Sequence, residues 1–150
     1  MKKFILLICI SSFTIALFSQ NLSSNNPKAI KYYNDGIKFY ENYKILKALN
    51  KFKKATEIDP QFIEAYLLVA QIYSDLEIYD SSIVYYKKAI DIDKDFFPNA
   101  YMIIAKISYM TGKYSDAVSY QELYYHHPKL SDFQKVKAEL DLDLYRGALE

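Results

Sequence analysis

The stretch KKATEID at residues 53–59 returns as KKAIDID at residues 87–93, at an offset of 34 residues. Five of the seven positions are identical, and the exchange of Glu57 for Asp91 keeps a carboxylate. Self-similarity at a fixed period of this length is the signature of a repeat architecture, in which each unit stacks on its neighbour. The chain is therefore predicted to be an array of similar structural units.

A second echo extends the repeat toward the C-terminus at an offset of 35 residues, between residues 62–79 and 97–114. The extra residue falls within residues 96–98, where an insertion between helices costs least. Inside each unit, apolar residues recur at i, i+4 and i+7, which is the spacing of one helical face. Helix breakers separate the predicted helices at residues 59–60, 111–113 and 127–128.

Small residues occupy the positions where the two helices of a unit must approach closely. The predicted facing pairs are Gly36 with Ala48, Ala70 with Ser82, and Ala105 with Ala117. Aromatic residues fill the space on either side, in a chain that has 16 Tyr and 9 Phe. One helix pair cannot bury its apolar face alone, so three stacked pairs are expected to share a continuous core.

This pattern resembles the tetratricopeptide repeat, a 34-residue unit of two helices. The matching positions of the first unit are Tyr32, Gly36, Phe39, Ala48, Phe52, Ala55 and Pro60. Those of the second unit are Tyr66, Ala70, Tyr73, Ser82, Tyr86 and Ala89, with Lys94 in place of Pro. The third unit departs from the pattern at Ser108, Gln121 and Tyr124, which predicts weaker packing at its second helix. The resemblance implies an all-α solenoid of three helix pairs at residues 29–62, 63–97 and 98–130.

Residues 131–150 are predicted to form a C-terminal capping helix. Ser131 and Gln134 have the spacing of a capping box at its start. An apolar stripe is expected on its inner face, at Phe133, Val136, Leu140 and Leu144. The polar outer side that a terminal element needs is expected at Lys135, Lys137, Glu139, Asp141 and Asp143.

The N-terminus has the layout of a secretory signal peptide. Lys2 and Lys3 precede an apolar run at residues 4–18, and the sequence turns polar from Ser19 onward. Cleavage is predicted after Ser19 or Gln20, which gives a signal peptide at residues 1–19 and a flexible leader at residues 20–28. The alternative is an uncleaved anchor, although the run is short for a spanning helix. The protein is expected to be exported, periplasmic or outer-membrane-associated, without a transmembrane span after cleavage.

Composition argues against several function classes. The only cysteine is Cys9, inside the apolar run, so the cleaved chain would have neither a disulfide nor a thiolate nucleophile. The formal net charge is +1, and cleavage would remove Lys2 and Lys3 and leave 17 basic against 18 acidic residues, a net charge of −1. That balance argues against a nucleic-acid partner, which normally requires a clustered basic face.

Catalytic and metal-binding patterns are also missing. His126 and His127 are adjacent, so on a helix they point about 100° apart and suit a helix C-terminus better than a metal site. The alternating aspartates of residues 91–95 lack the later glycine and glutamate of a calcium loop. We expect a protein that is not an enzyme and that has no cofactor.

The resemblance to the tetratricopeptide repeat also implies a binding groove lined by the first helix of each pair. The candidate partner-binding residues are Tyr33, Ile37 and Tyr40, then Leu67, Gln71 and Ser74, then Met102, Lys106 and Tyr109. The carboxylate clamp of the family's chaperone-binding members is absent, because the matching positions hold Tyr33, Ile37, Leu68, Asn99 and Ile103. An apolar, tyrosine-rich groove suits a protein or peptide segment with an apolar face. The alternative is that the chain's own last helix, or a second copy through self-association, fills the groove.

Two functions follow as hypotheses. The first is an exported scaffold or adaptor that mediates protein–protein interaction in the bacterial cell envelope. The second is a structural N-terminal module, or a truncated form, of an OmpA-like envelope or secretion-associated assembly protein. Residues 96–101 and 146–149 are similar to the N-terminal repeat region of that group.

Overall fold

The computed structural model describes residues 22–149, and this part of the chain forms seven α-helices and no strand. The helices are α1 (Pro27–Glu41), α2 (Ile45–Ile58), α3 (Ile63–Asp75), α4 (Tyr79–Ile92), α5 (Asn99–Met110), α6 (Tyr114–Tyr125) and α7 (Asp132–Gly147). The prediction of an all-α helical repeat fold is confirmed. The predicted signal peptide lies outside the described residues. Between residues 22 and 149, no helix combines the length and apolarity that crossing a membrane would take.

The chain divides into two compact units, of which the first ends at Leu68 and the second begins at Val69. In the first unit, the Tyr33 ring lies between two others, with ring centroids 5.6 Å from Phe52 and 4.9 Å from Phe62. Phe52 is fully buried, and its ring packs against the bare backbone of Gly36. The close approach of α1 and α2 therefore depends on a residue without a side chain, as the sequence pattern indicates.

The core of the second unit is built from two clusters of buried residues. One cluster joins α5, α6 and α7 through Tyr101, Tyr124, Leu130 and Ala138, and the other joins the same helices through Ala105, Ala117 and Tyr145. The predicted close contact between Ala70 and Ser82 is also present, since the Ser82 hydroxyl donates to the Ala70 carbonyl at 2.9 Å. The small residues thus lie where the helices approach.

The off-pattern residues of the third repeat occupy core positions. Ser108, Gln121 and Tyr124 are all buried. The Gln121 Nε2 donates to the Ala138 carbonyl at 3.0 Å, while its Oε1 and the Ser108 hydroxyl are buried and have no hydrogen-bond partner among residues 22–149. A buried polar atom without a partner costs free energy, so this pair of helices keeps its close packing at some cost in stability.

The turn inside each helix pair has the same backbone conformation. Tyr43, Glu77 and Gly112 have φ values of 57°, 59° and 74°, and they are separated by the repeat offsets of 34 and 35 residues. Each turn closes with two backbone bonds typical of a Schellman motif, such as Lys113 N to Ser108 O at 2.8 Å and Gly112 N to Tyr109 O at 3.1 Å. Only Gly112 is a residue that adopts this left-handed conformation without strain.

Replacing Glu77 by Gly should therefore raise the free energy of unfolding by about 0.5–1 kcal/mol, because relief of the strained φ outweighs the added entropy of the unfolded chain. Urea titration followed by circular dichroism measures the change. Glu139→Gly, at an exposed helical position of α7, is the matched control and should lower stability by about 1 kcal/mol. A loss of stability in Glu77→Gly would contradict the expectation.

The predicted leader ends earlier than expected, at Asn26. Pro27 and Lys28 already belong to α1, whose start is capped by the Asn26 side chain. The Ser23 amide and hydroxyl both donate to the buried carboxylate of Glu64, and the hydroxyl accepts the Ile63 amide at 2.9 Å. The segment is therefore held in place because it satisfies polar groups at the start of α3.

The capping helix is confirmed at its start and corrected in its orientation. Ser131 and Gln134 form both bonds of the predicted capping box. The apolar stripe, however, faces solvent: we call Phe133, Val136, Leu140 and Leu144 the α7 stripe. Its members are 80%, 58%, 67% and 55% exposed, respectively. The buried residues of α7 are Ala138, Leu142 and Tyr145, which lie on roughly the opposite side of the helix. The small Ala138 lets α7 approach α6, which the bulkier stripe would prevent.

Candidate functional site

Two of the candidate groove residues are buried and cannot contact a partner directly. Tyr33 and Leu67 are each only 5% exposed. Tyr33 takes the core position that the sequence pattern assigns to Tyr32, because its ring fits between those of Phe52 and Phe62. Burial also raises the pKa of the Tyr33 hydroxyl, and the nearby carboxylate of Glu64 adds to this shift. Ile37 and Tyr40, from the same predicted stripe, remain half-buried.

Two candidate groove residues of the second unit already contact other residues of the same chain. The Tyr109 ring stacks on Tyr145 of α7, with centroids 4.7 Å apart and planes inclined by 26°. Met102 is partly buried against the cluster that contains Tyr101 and Ala138. Tyr109 is therefore already in contact with the last helix.

The remaining candidates of the second unit are accessible. Lys106 and Gln71 are exposed, and Ser74 is half-buried. The Gln71 amide donates to the Asp75 carboxylate at 2.8 Å, and its carbonyl accepts the Tyr86 hydroxyl at 3.1 Å. Gln71 is thus held by its own neighbours, and Lys106 offers a cation to solvent.

A second surface feature lies on the first helix pair, and the sequence pattern did not indicate it. A shallow surface pocket of about 340 Å³ between α1 and α2 is lined by Tyr32, Phe39, Lys47, Asn50, Lys51 and Lys54. The Lys51 ammonium lies 5.0 Å from the Tyr32 ring centroid, and that of Lys47 lies 5.9 Å from the Phe39 centroid. We call this feature the basic pocket. The Lys ammonium groups, positioned by the ring faces, can bind a carboxylate or another anionic group.

The local charge of the first helix pair indicates the basic pocket, but the net charge of the whole chain conceals it. Residues 27–58 contain eight Lys against three acidic residues, whereas the whole chain carries a formal charge of only +1. A cluster of this kind is found by counting charge per helix pair. The nucleic-acid argument from whole-chain charge therefore overlooked a clustered basic face.

The histidine pair has a structural contact. His127 is 6% exposed, and its Nε2 lies 3.0 Å from the Asp95 Oδ1. The Lys129 amide donates to the Nδ1 at 3.3 Å, so the network assigns the proton to Nε2, which donates to Asp95. His127 thus ties the turn after α6 to the turn after α4, instead of serving only the end of α6. In the described part of the chain, no three His, Cys, Asp or Glu side chains are placed to hold a metal ion.

Comparison with known proteins supports the repeat assignment. The family model of the tetratricopeptide repeat matches residues 63–96, which contain α3 and α4. No curated protein sequence matches the chain. The similarity to the OmpA-like group remains a prediction from the sequence.

Several solved structures are similar in fold. The type III secretion chaperone SycD of Yersinia enterocolitica, in complex with a peptide of the translocator YopD, has a TM-score of 0.70 at 16% identity, covering 84% of this chain and 98% of that one. The first repeat domain of Spaghetti (RPAP3), bound to an HSP90 peptide, has a TM-score of 0.68 at 17% identity, covering 86% and 98%. The TPR2B domain of yeast Sti1, in a complex with pHsp70, has a TM-score of 0.64 at 19% identity, covering 82% and 97%. The chain therefore contains a tetratricopeptide repeat at residues 63–96 and has the tetratricopeptide-repeat fold.

Proposed function

We propose that the protein is a non-enzymatic scaffold that binds a segment of another protein. The observation that carries the proposal is the tetratricopeptide-repeat fold itself, whose similar structures include three solved in complex with a partner peptide or protein. Accessible residues on the first helices offer contact points for the segment separately in each unit, Ile37 in the first and Lys106 in the second. A partner segment with an apolar face and at least one carboxylate matches their chemistry.

The cellular setting is part of the same proposal. The signal-peptide pattern of residues 1–19 supports export to the periplasm or the outer membrane. Fractionation of the native cells, with sequencing of the protein's N-terminus, tests this point. Recovery in the envelope fraction with a new N-terminus at residue 20 or 21 is expected, and an intact Met1 in the cytoplasmic fraction would overturn it.

The binding proposal predicts that Ile37→Ala combined with Lys106→Ala reduces partner recovery at least about tenfold, which corresponds to 1.4 kcal/mol. Affinity capture of the tagged protein from its own cells, with quantitative mass spectrometry, measures the recovery. The matched control is Val84→Ala with Lys94→Ala, since both residues are exposed and lie outside the first helices. The control should recover the partner at the level of the unsubstituted protein.

A third variant, Lys47→Ala with Lys51→Ala, tests the basic pocket separately. If the pocket holds a carboxylate of the partner, this variant should also lose recovery, and the unsubstituted protein should lose it on raising the salt concentration. Circular dichroism melts establish that each variant is folded. Failure of the unsubstituted protein to enrich any protein, or equal recovery by all four chains, would overturn the scaffold proposal.

A further inference from the structure

The outward face of α7 has the properties of an interface. Its four apolar side chains, the α7 stripe, are all more than half exposed, although α7 is otherwise anchored through Ala138, Leu142 and Tyr145. Their spacing of three, four and four residues keeps them on one side of the helix for three turns. A continuous exposed apolar face of this kind usually marks a contact surface.

We propose that the α7 stripe binds the same stripe of a second copy of this chain, with the two α7 helices antiparallel. In that register Phe133 lies against Leu144 of the second copy, and Val136 lies against Leu140. A two-fold axis through the middle of the helix pair makes the contact self-complementary, as closed homodimers require.

The charges along one edge of the stripe favour this occupant. Lys137 and Asp141 lie along the same edge of the stripe, one turn apart. In an antiparallel pair the same edges of both helices meet, so Lys137 comes beside Asp141 of the second copy, and the symmetry produces this ion pair twice. The other edge carries Asp132, Glu139 and Asp143 and contributes no ion pair, because Arg146 lies farther round the helix and contacts its own chain's Glu122 at 2.9 Å. On the edge that carries Lys137 and Asp141, the dimer therefore contains no contact between like charges.

The oligomeric state of the protein tests this proposal. The protein is purified from cells that express the whole coding sequence, and it is kept in reducing agent so that Cys9 cannot form a disulfide between two copies. Sedimentation equilibrium should show a concentration-dependent dimer. Leu140→Glu should raise the dimer Kd at least about tenfold, or 1.4 kcal/mol. Leu123→Glu is the matched control, because Leu123 is 53% exposed but lies on α6. The dimer Kd of this variant should equal that of the unsubstituted protein.

A charge exchange tests the antiparallel arrangement itself. Lys137→Glu and Asp141→Lys should each weaken self-association, because each creates two like-charge contacts in its own dimer. An equimolar mixture of the two variants should recover the affinity of the unsubstituted protein, because both ion pairs re-form between unlike chains.

The proposal is overturned if the protein stays monomeric at high concentration. In that case the α7 stripe would bind a different protein or another segment of a longer chain. The proposal would also be overturned if the mixture of the two charge variants dimerised no more tightly than either variant alone. The same holds if Leu123→Glu raised the dimer Kd as much as Leu140→Glu. None of these variants changes Ile37, Lys106 or the basic pocket, so failure here is distinguishable from failure of the scaffold proposal.

Discussion

Phe52→Ala should lower the free energy of unfolding by about 3–5 kcal/mol, which is the upper part of the range for a buried side chain. The Phe52 ring is completely buried, and it is flanked by the Tyr33 ring and the backbone of Gly36. Tyr33 cannot move into the vacated space without leaving Phe62, 4.9 Å away on its other side. The cavity therefore stays largely open, and its cost adds to the lost apolar burial.

Urea unfolding followed by circular dichroism measures the loss. Leu46→Ala is the control, because it removes a large apolar side chain from the same helix pair at a position that is 71% exposed. The control should change stability by less than about 0.5 kcal/mol. Similar losses for the two variants would mean that Phe52 is not the centre of the first helix pair's core.

Gly36→Ala should destabilise the protein by about 2 kcal/mol, although alanine is intrinsically the better helix residue by about 1 kcal/mol. An added Cβ would lie 2.6 Å from Cε1 and 2.7 Å from Cδ1 of the Phe52 ring. These distances are far inside van der Waals contact, and the Phe52 ring is fully buried. Overpacking therefore outweighs helix propensity at this position.

The same unfolding measurement includes Gly147→Ala as control, since a Cβ at Gly147 would meet no atom within 4 Å. That change should be neutral or slightly stabilising. In the Phe52→Ala background, Gly36→Ala should become stabilising, because the clashing ring is gone and helix propensity then decides. If Gly36→Ala destabilised both backgrounds equally, the ring contact would not be its cause.

The repeat and its helices were predictable from the sequence because period and residue type recur together. The small positions Gly36 and Ser82 lie at close helix contacts, as their spacing indicates. The capping box at Ser131 was equally predictable, since it depends only on local residues. Local patterns and fixed offsets therefore determine most of the fold.

The orientation of the last helix was not predictable by the same reasoning. α7 has two apolar faces, and the larger one is the exposed α7 stripe. Periodicity tells which residues share a face but not which face meets the rest of the chain. That choice is made by shape, because the narrow face at Ala138 allows a closer approach to α6 than Phe133 or Leu140 would.

The candidate site was predicted only in part for a related reason. The family's groove positions were assigned by a one-residue offset from the core, and Tyr33 shows that the first helix is rotated relative to that assignment. Ring packing between Phe52 and Phe62 determines the rotation, and a helical wheel contains no information about rings from other helices. The basic pocket forms only where α1 and α2 pack together, and the net charge of the whole chain contains no information about which lysines lie close together.

The basic pocket also has a consequence for handling the protein. A chain with a calculated isoelectric point of 7.7 would ordinarily be expected to ignore polyanions at neutral pH. We nevertheless expect the first helix pair, with eight Lys against three acidic residues, to attract polyanions such as heparin at low ionic strength through counterion release. Nucleic acid that co-purifies at low ionic strength is therefore expected background, and only a ligand that survives a salt wash identifies a specific partner.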